Sequence, residues 1–192
     1  MRPAIFLDRD GVLIENRDQY VRSWDDVAFF SHTFEAMRRA AAWPHAFVVV
    51  SNQAGVGKGL IDRAVADAIN VRVAATVVER GGRIDRAYFC PHRADAGCDC
   101  RKPQPGMLLR AARELDLDLT RSWMIGDNLT DMQAGSAAGT RCMLVRTGLG
   151  DSQLAARQTA APTTVSFEVA DNLADALDRI ARTITHTLEL HK

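Results

Sequence analysis

The sequence predicts an α/β fold: a mostly parallel sheet, wound on both faces by helices. Three observations predict it. Short apolar runs alternate with helix-patterned stretches through most of the chain, the signature of strand–crossover–strand units. Each apolar run ends abruptly in polar or glycine-rich residues, DRDG after AIFL, SNQAGVGKG after AFVVV and GDN after WMI. The chain has 192 residues, 47% hydrophobic and 25% charged, which suits one domain spanning 1–192 with a sizeable core.

The elements follow in order. AIFL (4–7) reads as a buried strand leading into a turn. FEAMRRAAA (34–42) is helical, and Trp43-Pro44 stops it. AFVVV (46–50) opens a second strand that runs into the glycine-rich loop SNQAGVGKG (51–59). Residues 62–80 form a long helix closed by Gly81-Gly82, and IDRAYFC (84–90) a third strand. Residues 105–115 are helical, with Pro105 suited to a first turn. SWMIGD (122–127) is a fourth strand, 129–139 a helix that Gly139 caps, and RCMLVRT (141–147) a fifth strand. Residues 148–164 read as a surface loop of little information. The last helix, 171–188, sets Leu173, Leu177, Ile180, Ile184 and Leu188 on one stripe.

Composition narrows the function classes. Formal net charge is zero, so no global basic field draws in nucleic acid. The longest apolar run falls far short of the roughly 20 residues that span a bilayer. The start, MRPAIFLDRDG, meets acid too early for a secretory signal. A cytoplasmic monomer with reduced thiols is expected.

In such a sheet the site lies beyond the carboxyl ends of the strands. Asp8 and Asp10 sit there two residues apart, so in extended backbone they point the same way. Close carboxylates repel unless a cation or a proton lies between them. An all-oxygen site of this kind suits Mg²⁺. Asp127 ends another strand and offers a third carboxylate. Asp131, four residues on, stands open between a helix-end acid and a site residue.

These motifs resemble those of the haloacid dehalogenase superfamily: FLDRDGVL its first, SNQ (51–53) its second, Lys102 its third and GDNLTD (126–131) its fourth. The order fits over residues 4 to 147. The resemblance implies a phosphoryl-transfer enzyme with Asp8 as nucleophile and Asp10 as general acid and base. It implies Mg²⁺ held by Asp8, the Asp10 carbonyl and Asp127. Ser51, Asn52 and Gln53 would bind the substrate, and Lys102 would balance charge at the reacting phosphoryl group.

Cys90, His92, Cys98 and Cys100 place four soft or borderline ligands in eleven residues. Three thiolates and an imidazole make a structural zinc set. Disulfides fit poorly, because Cys98 and Cys100 are too near to pair and three cysteines leave one over. Zinc would pin the loop 90–103 and so fix Arg101 and Lys102 at the site edge. Cys142 reads as a small core residue. His32, His45, His186 and His191 read as surface or loop residues.

A zinc loop of the form CxH…CxCRKP resembles the heptose 1,7-bisphosphate 7-phosphatases and the related histidinol-phosphate phosphatases, small members without a large cap domain. SNQAGVGKG is closer to the heptose type. The resemblance therefore implies a sugar-bisphosphate phosphatase, with histidinol phosphate as the alternative substrate. Lys58 and Arg101 are the candidates for the substrate's second phosphate. Where the heptose enzymes carry Lys after the fourth-motif Gly-Asp, this chain has Asn128, one positive charge fewer.

Overall fold

The computed structural model describes residues 1–159 and 165–189. Six strands form one parallel sheet in the order β3-β2-β1-β4-β5-β6. They are β1 (Ala4–Leu7), β2 (Ala46–Asn52), β3 (Arg86–Cys90), β4 (Trp123–Gly126), β5 (Arg141–Val145) and β6 (Glu168–Ala170). The helices between them are α1 (Thr33–Ala40), α2 (Ala54–Gly57), α3 (Arg63–Glu79), α4 (Gly106–Leu115), α5 (Leu129–Ala138), α6 (Gly150–Thr159) and α7 (Leu173–Glu189). The doubly wound, Rossmann-like α/β class expected from the alternation is the class observed.

The central strands are continuous apolar runs because both faces are covered. Ile5 and Leu7 of β1 face one core with Met37, Val73, Leu177 and Ile180 from α1, α3 and α7. Ala4 and Phe6 face the other, with Leu108, Ala111, Met132 and Ala134 from α4 and α5. Burying each of the Ile, Leu, Val, Met and Phe side chains among them stabilises by about 1.5–3 kcal/mol. The strand order reverses between β1 and β4, and a crevice opens there at the carboxyl ends. The Asp8 amide donates to the Ile125 carbonyl at 2.9 Å and carries the β1–β4 pairing up to the site.

The sequence expectations need four corrections. Residues 150–159 form α6 rather than loop; the remainder of that stretch, 160–164, lies outside the described residues. A sixth strand, β6, has only three residues, too short for a periodic signal. Of the glycine-rich stretch 51–59, Ser51 and Asn52 extend β2 and Ala54–Gly57 form the one-turn helix α2. His45, directly before β2, is buried, because the chain entering a strand shielded on both faces is covered with it. The side chains of His186 and Leu188, and His191 altogether, lie outside the described residues. No helix among the described residues is long and apolar enough to cross a membrane.

Candidate active site

The crevice holds a cavity of about 310 Å³, within the range of small-molecule sites. Four chain segments that arrive from strand ends build its reactive part, and Asn16, Arg17, Tyr20, Val21 and Leu149 complete the lining. Asp8 and Asp10 come from β1, Ser51 to Gln53 from β2, Arg101 and Lys102 from the loop after β3, and Asp127 to Asp131 from β4 and the start of α5.

At its floor Lys102 sits among acids. Its Nζ lies 3.0 Å from Asp8 Oδ1 and 2.6 Å from Asp131 Oδ1, and donates to the Val50 carbonyl at 2.8 Å. Lys102 is 2% exposed, so the ammonium persists only because those partners are in place. Burial pulls its pKa down, but Asp131 and Asp8 outweigh that and hold it above its ordinary value. Asp131 is fully buried, and its other oxygen, Oδ2, accepts the Asn128 amide at 3.0 Å in a capping box. The acid left open by spacing is thus both a helix cap and the partner of the site lysine.

Asp8, Asp127 and Asp131 offer carboxylate oxygens within 4.8 Å of one another. Burial is the main cause that lifts Asp8 to about 8; Lys102 opposes it, while Asp131, Asp127 and Asp10 add to it. Asp127 is pushed up to about 6, by burial first and then by Asp131. Such crowding is what a divalent cation relieves. Asp131 has both oxygens engaged, by Lys102 and the Asn128 amide, whereas Asp8 meets Lys102 through Oδ1 and Asp127 accepts through Oδ2, so each of these two keeps its other oxygen for a hard cation; their oxygen chemistry fits Mg²⁺.

Asp127 is fixed from outside the four motifs. Its Oδ2 accepts the Leu149 amide at 2.8 Å and the Asn16 side-chain amide at 3.3 Å. Two glycines make room for this. A Cβ on Gly148 (φ +62°) or Gly11 (φ +81°) would fall 2.2 Å or 2.0 Å from Asp127 Oδ2, and both backbones occupy the left-handed region that favours glycine.

The placement of the remaining expected residues differs in kind. Ser51 and Gln53 line the cavity but are nearly buried, and Gln53 Nε2 donates to both Ser51 Oγ (2.8 Å) and Asp10 Oδ2 (3.0 Å). Asn52 locks the Lys102 backbone with reciprocal 3.0 Å hydrogen bonds. Arg101 lines the cavity and donates to the His92 carbonyl at 3.2 Å, tying it to the cysteine cluster. Lys58 is not among the lining residues; it donates to the Tyr20 hydroxyl at 2.7 Å, and Tyr20 is the one that lines. Asn16, Arg17 and Tyr20, from the irregular stretch after β1, escape motif reading. No local sequence pattern marks them; in the structure Tyr20 stands at φ +66°.

The cysteine cluster closes on itself. Cys100 Sγ lies 3.2 Å from Cys90 Sγ and 3.6 Å from Cys98 Sγ, and Cys90 to Cys98 spans 3.7 Å. His92 Nδ1 lies 3.4 Å from Cys90 Sγ and 3.3 Å from Cys100 Sγ. Disulfide sulfurs sit about 2.05 Å apart, so no pair is bonded. Ligand edges of roughly 3.5–3.8 Å are expected around a tetrahedral ion with bonds of ~2.0–2.3 Å. The four ligand atoms fit zinc. Cys142 is apart, buried in the core on β5, where its Sγ donates to the Met132 carbonyl of α5 at 3.4 Å.

Three comparisons bear on this geometry. Residues 99–176 match the HAD-hydrolase-like family model. The chain is 46% identical over 156 residues, 76% of this chain and 81% of the relative, to D-glycero-beta-D-manno-heptose-1,7-bisphosphate 7-phosphatase of Photorhabdus laumondii. It is 42% identical over 156 residues to the Escherichia coli K12 enzyme of that name, covering 76% of this chain and 80% of the relative. Among solved structures, the D,D-heptose 1,7-bisphosphate phosphatase of B. bronchiseptica, complexed with magnesium and phosphate, superposes with a TM-score of 0.86 at 34% identity, over 94% of this chain and 99% of that one.

Proposed function

The chain belongs to the D-glycero-beta-D-manno-heptose-1,7-bisphosphate 7-phosphatase family of HAD-like hydrolases, and on that premise we propose that it is a phosphomonoesterase removing the 7-phosphate of the heptose 1,7-bisphosphate. It would act as a cytoplasmic, single-domain monomer in the supply of activated heptose.

Asp8 attacks phosphorus: its carboxylate oxygen forms the new bond to phosphorus as the bond to the sugar oxygen breaks. Asp10 gives its proton to that leaving oxygen. Water then loses a proton to Asp10 and attacks the aspartyl-phosphate, the Asp8–phosphorus bond breaks, and both acids return to their starting states. Lys102, held by Asp8 and Asp131, stabilises charge on the equatorial oxygens. Ser51 and the Asn52 amide bind phosphate. Asp8, Asp127 and the Asp10 carbonyl would hold Mg²⁺, which would supply the neutralisation that lets an anionic nucleophile approach an anionic ester. Cys90, His92, Cys98 and Cys100 would hold a structural zinc, which would steady the loop that carries Arg101.

One observation favours the bisphosphate over histidinol phosphate. All four carboxylates lining the cavity belong to the reaction centre, and the outer wall presents Arg17 and Arg101 beside Asn16, Tyr20, Asn128 and Thr130. Among the described residues no further carboxylate lines that wall to take an ammonium group, whereas a second phosphate finds two guanidinium groups, one of them, Arg17, shared with Glu15 at 3.7 Å. Rates of phosphate release from the two substrates with Mg²⁺ test this, with ³¹P NMR to show which phosphate leaves. The heptose bisphosphate should turn over at least ~100-fold faster and lose only its 7-phosphate. Faster release from histidinol phosphate would overturn the substrate.

A further inference from the structure

Arg9 lies between the two acids of the first motif, and it is 1% exposed. A guanidinium is buried this deeply only when its donors are matched. Here Nε and Nη2 reach Asp10 Oδ1 at 3.3 and 3.0 Å, and Nη2 also reaches Asp10 Oδ2 at 3.0 Å. Nη2 donates further to Gln53 Oε1 at 3.1 Å, and Nη1 to Asn70 Oδ1 at 2.7 Å.

The two amides are arranged for this guanidinium. Gln53 turns its oxygen to Arg9 and its Nε2 to Asp10 Oδ2 and Ser51 Oγ; the flipped amide would set oxygen against carboxylate. Asn70 stands mid-way along α3 beside Ile69 and Val73, nearly buried in an apolar face. Its Nδ2 is buried without a partner, a cost that its bond to Arg9 offsets. Asp10 thus receives donors on both oxygens and still lines the cavity. Four contacts reach its oxygens, three from Arg9 and one from Gln53, as many as the roughly four lone-pair sites of a carboxylate, so the group is held at both oxygens.

We propose that Arg9, anchored by Asn70 on α3 and by Gln53, is the positioning residue that fixes the Asp10 carboxylate for proton transfer. The inference rests on the assignment of Asp10 as acid and base. An unrestrained aspartate at a turn samples several rotamers, and a general acid works only at hydrogen-bond reach of the oxygen it protonates.

The test is a set of variants with a KM-against-kcat split: Arg9→Met, Asn70→Ala, Asp10→Asn and the Arg9→Met/Asp10→Asn double. Thermal unfolding of each confirms that it is folded. Arg9→Met should lower kcat on the sugar phosphate by roughly 100-fold, the scale of lost acid–base catalysis, with KM within about twofold. With p-nitrophenyl phosphate, whose leaving group needs no proton, the rapid first burst should survive while steady turnover slows. In the Asp10→Asn background Arg9→Met should cost nothing further. An equal loss there, or loss of the burst, would overturn the positioning role and leave Asp10's role standing. Full turnover by Asp10→Asn alone would instead overturn the assignment of Asp10, and the inference with it. If Arg9→Met does not fold, a folded Asn70→Ala carries the test: a several-fold fall in kcat at constant KM supports the role, and an unchanged kcat refutes it.

Discussion

Asp8 and Asp127 show how one residue's surroundings set its chemistry. Burial is the main cause that raises them to about 8 and about 6, so the metal-free protein holds protons there that Mg²⁺ must displace. Apparent Mg²⁺ affinity should therefore rise with pH through that window and level off above about 8. Titration calorimetry in buffers of different ionisation enthalpy should show proton release near pH 7; none would contradict the burial account. Gly148→Ala tests the packing behind Asp127. A Cβ 2.2 Å from Oδ2 on a left-handed backbone should cost roughly 1–3 kcal/mol of stability and weaken Mg²⁺ binding, read by thermal unfolding and by Mg²⁺ titration. The motif acids are visible in the sequence because they cluster at strand ends. Asn16, Asn70 and the Leu149 amide are invisible there, since each meets the site only through tertiary packing.

At the scale of elements, the loop after β3 depends on its four metal-fitting side chains. Cys98 to Cys100 has no regular structure, yet Arg101 reaches the His92 carbonyl and the Lys102 backbone is clamped by Asn52. Cys100→Ser should remove most of the bound zinc, measured by elemental analysis. It should lower kcat/KM by about tenfold or more, the scale at which outer support of a site is felt. Normal activity in a zinc-free, folded variant would contradict the pinning role. Ligand spacing made this loop legible. α6 and β6 were not, because α6 lacks a strong apolar stripe and β6 is three residues long; β6 is held by pairing with β5, which no local pattern encodes.

At the scale of the whole molecule, the alternation of strands and helices was enough to place the site, because parallel order sends every strand's carboxyl end to one edge. The same burial gives the fold opposing pH responses. His45 is depressed to about 4, by burial first and then by Arg121 and Arg83, so its contribution is present above the unfolded value of 6.5 and lost as pH falls toward 4. Asp8 and Asp127 are raised, so theirs is present below 3.8 and lost as pH rises through about 6 and 8. Metal-free protein should thus melt lower on the alkaline side, and Mg²⁺ should restore it. His45→Gln should flatten the acid limb in a thermal-melt series from pH 4 to 7.

Asp8 should be phosphorylated during turnover, and acid quench followed by peptide mass spectrometry reads this most directly. Enzyme mixed with Mg²⁺ and heptose 1,7-bisphosphate, quenched within the first turnovers, should carry a phosphoryl group on the peptide containing Asp8, and Asp8→Asn should carry none and release no phosphate. Phosphate release by Asp8→Asn at the unmodified rate would contradict the account.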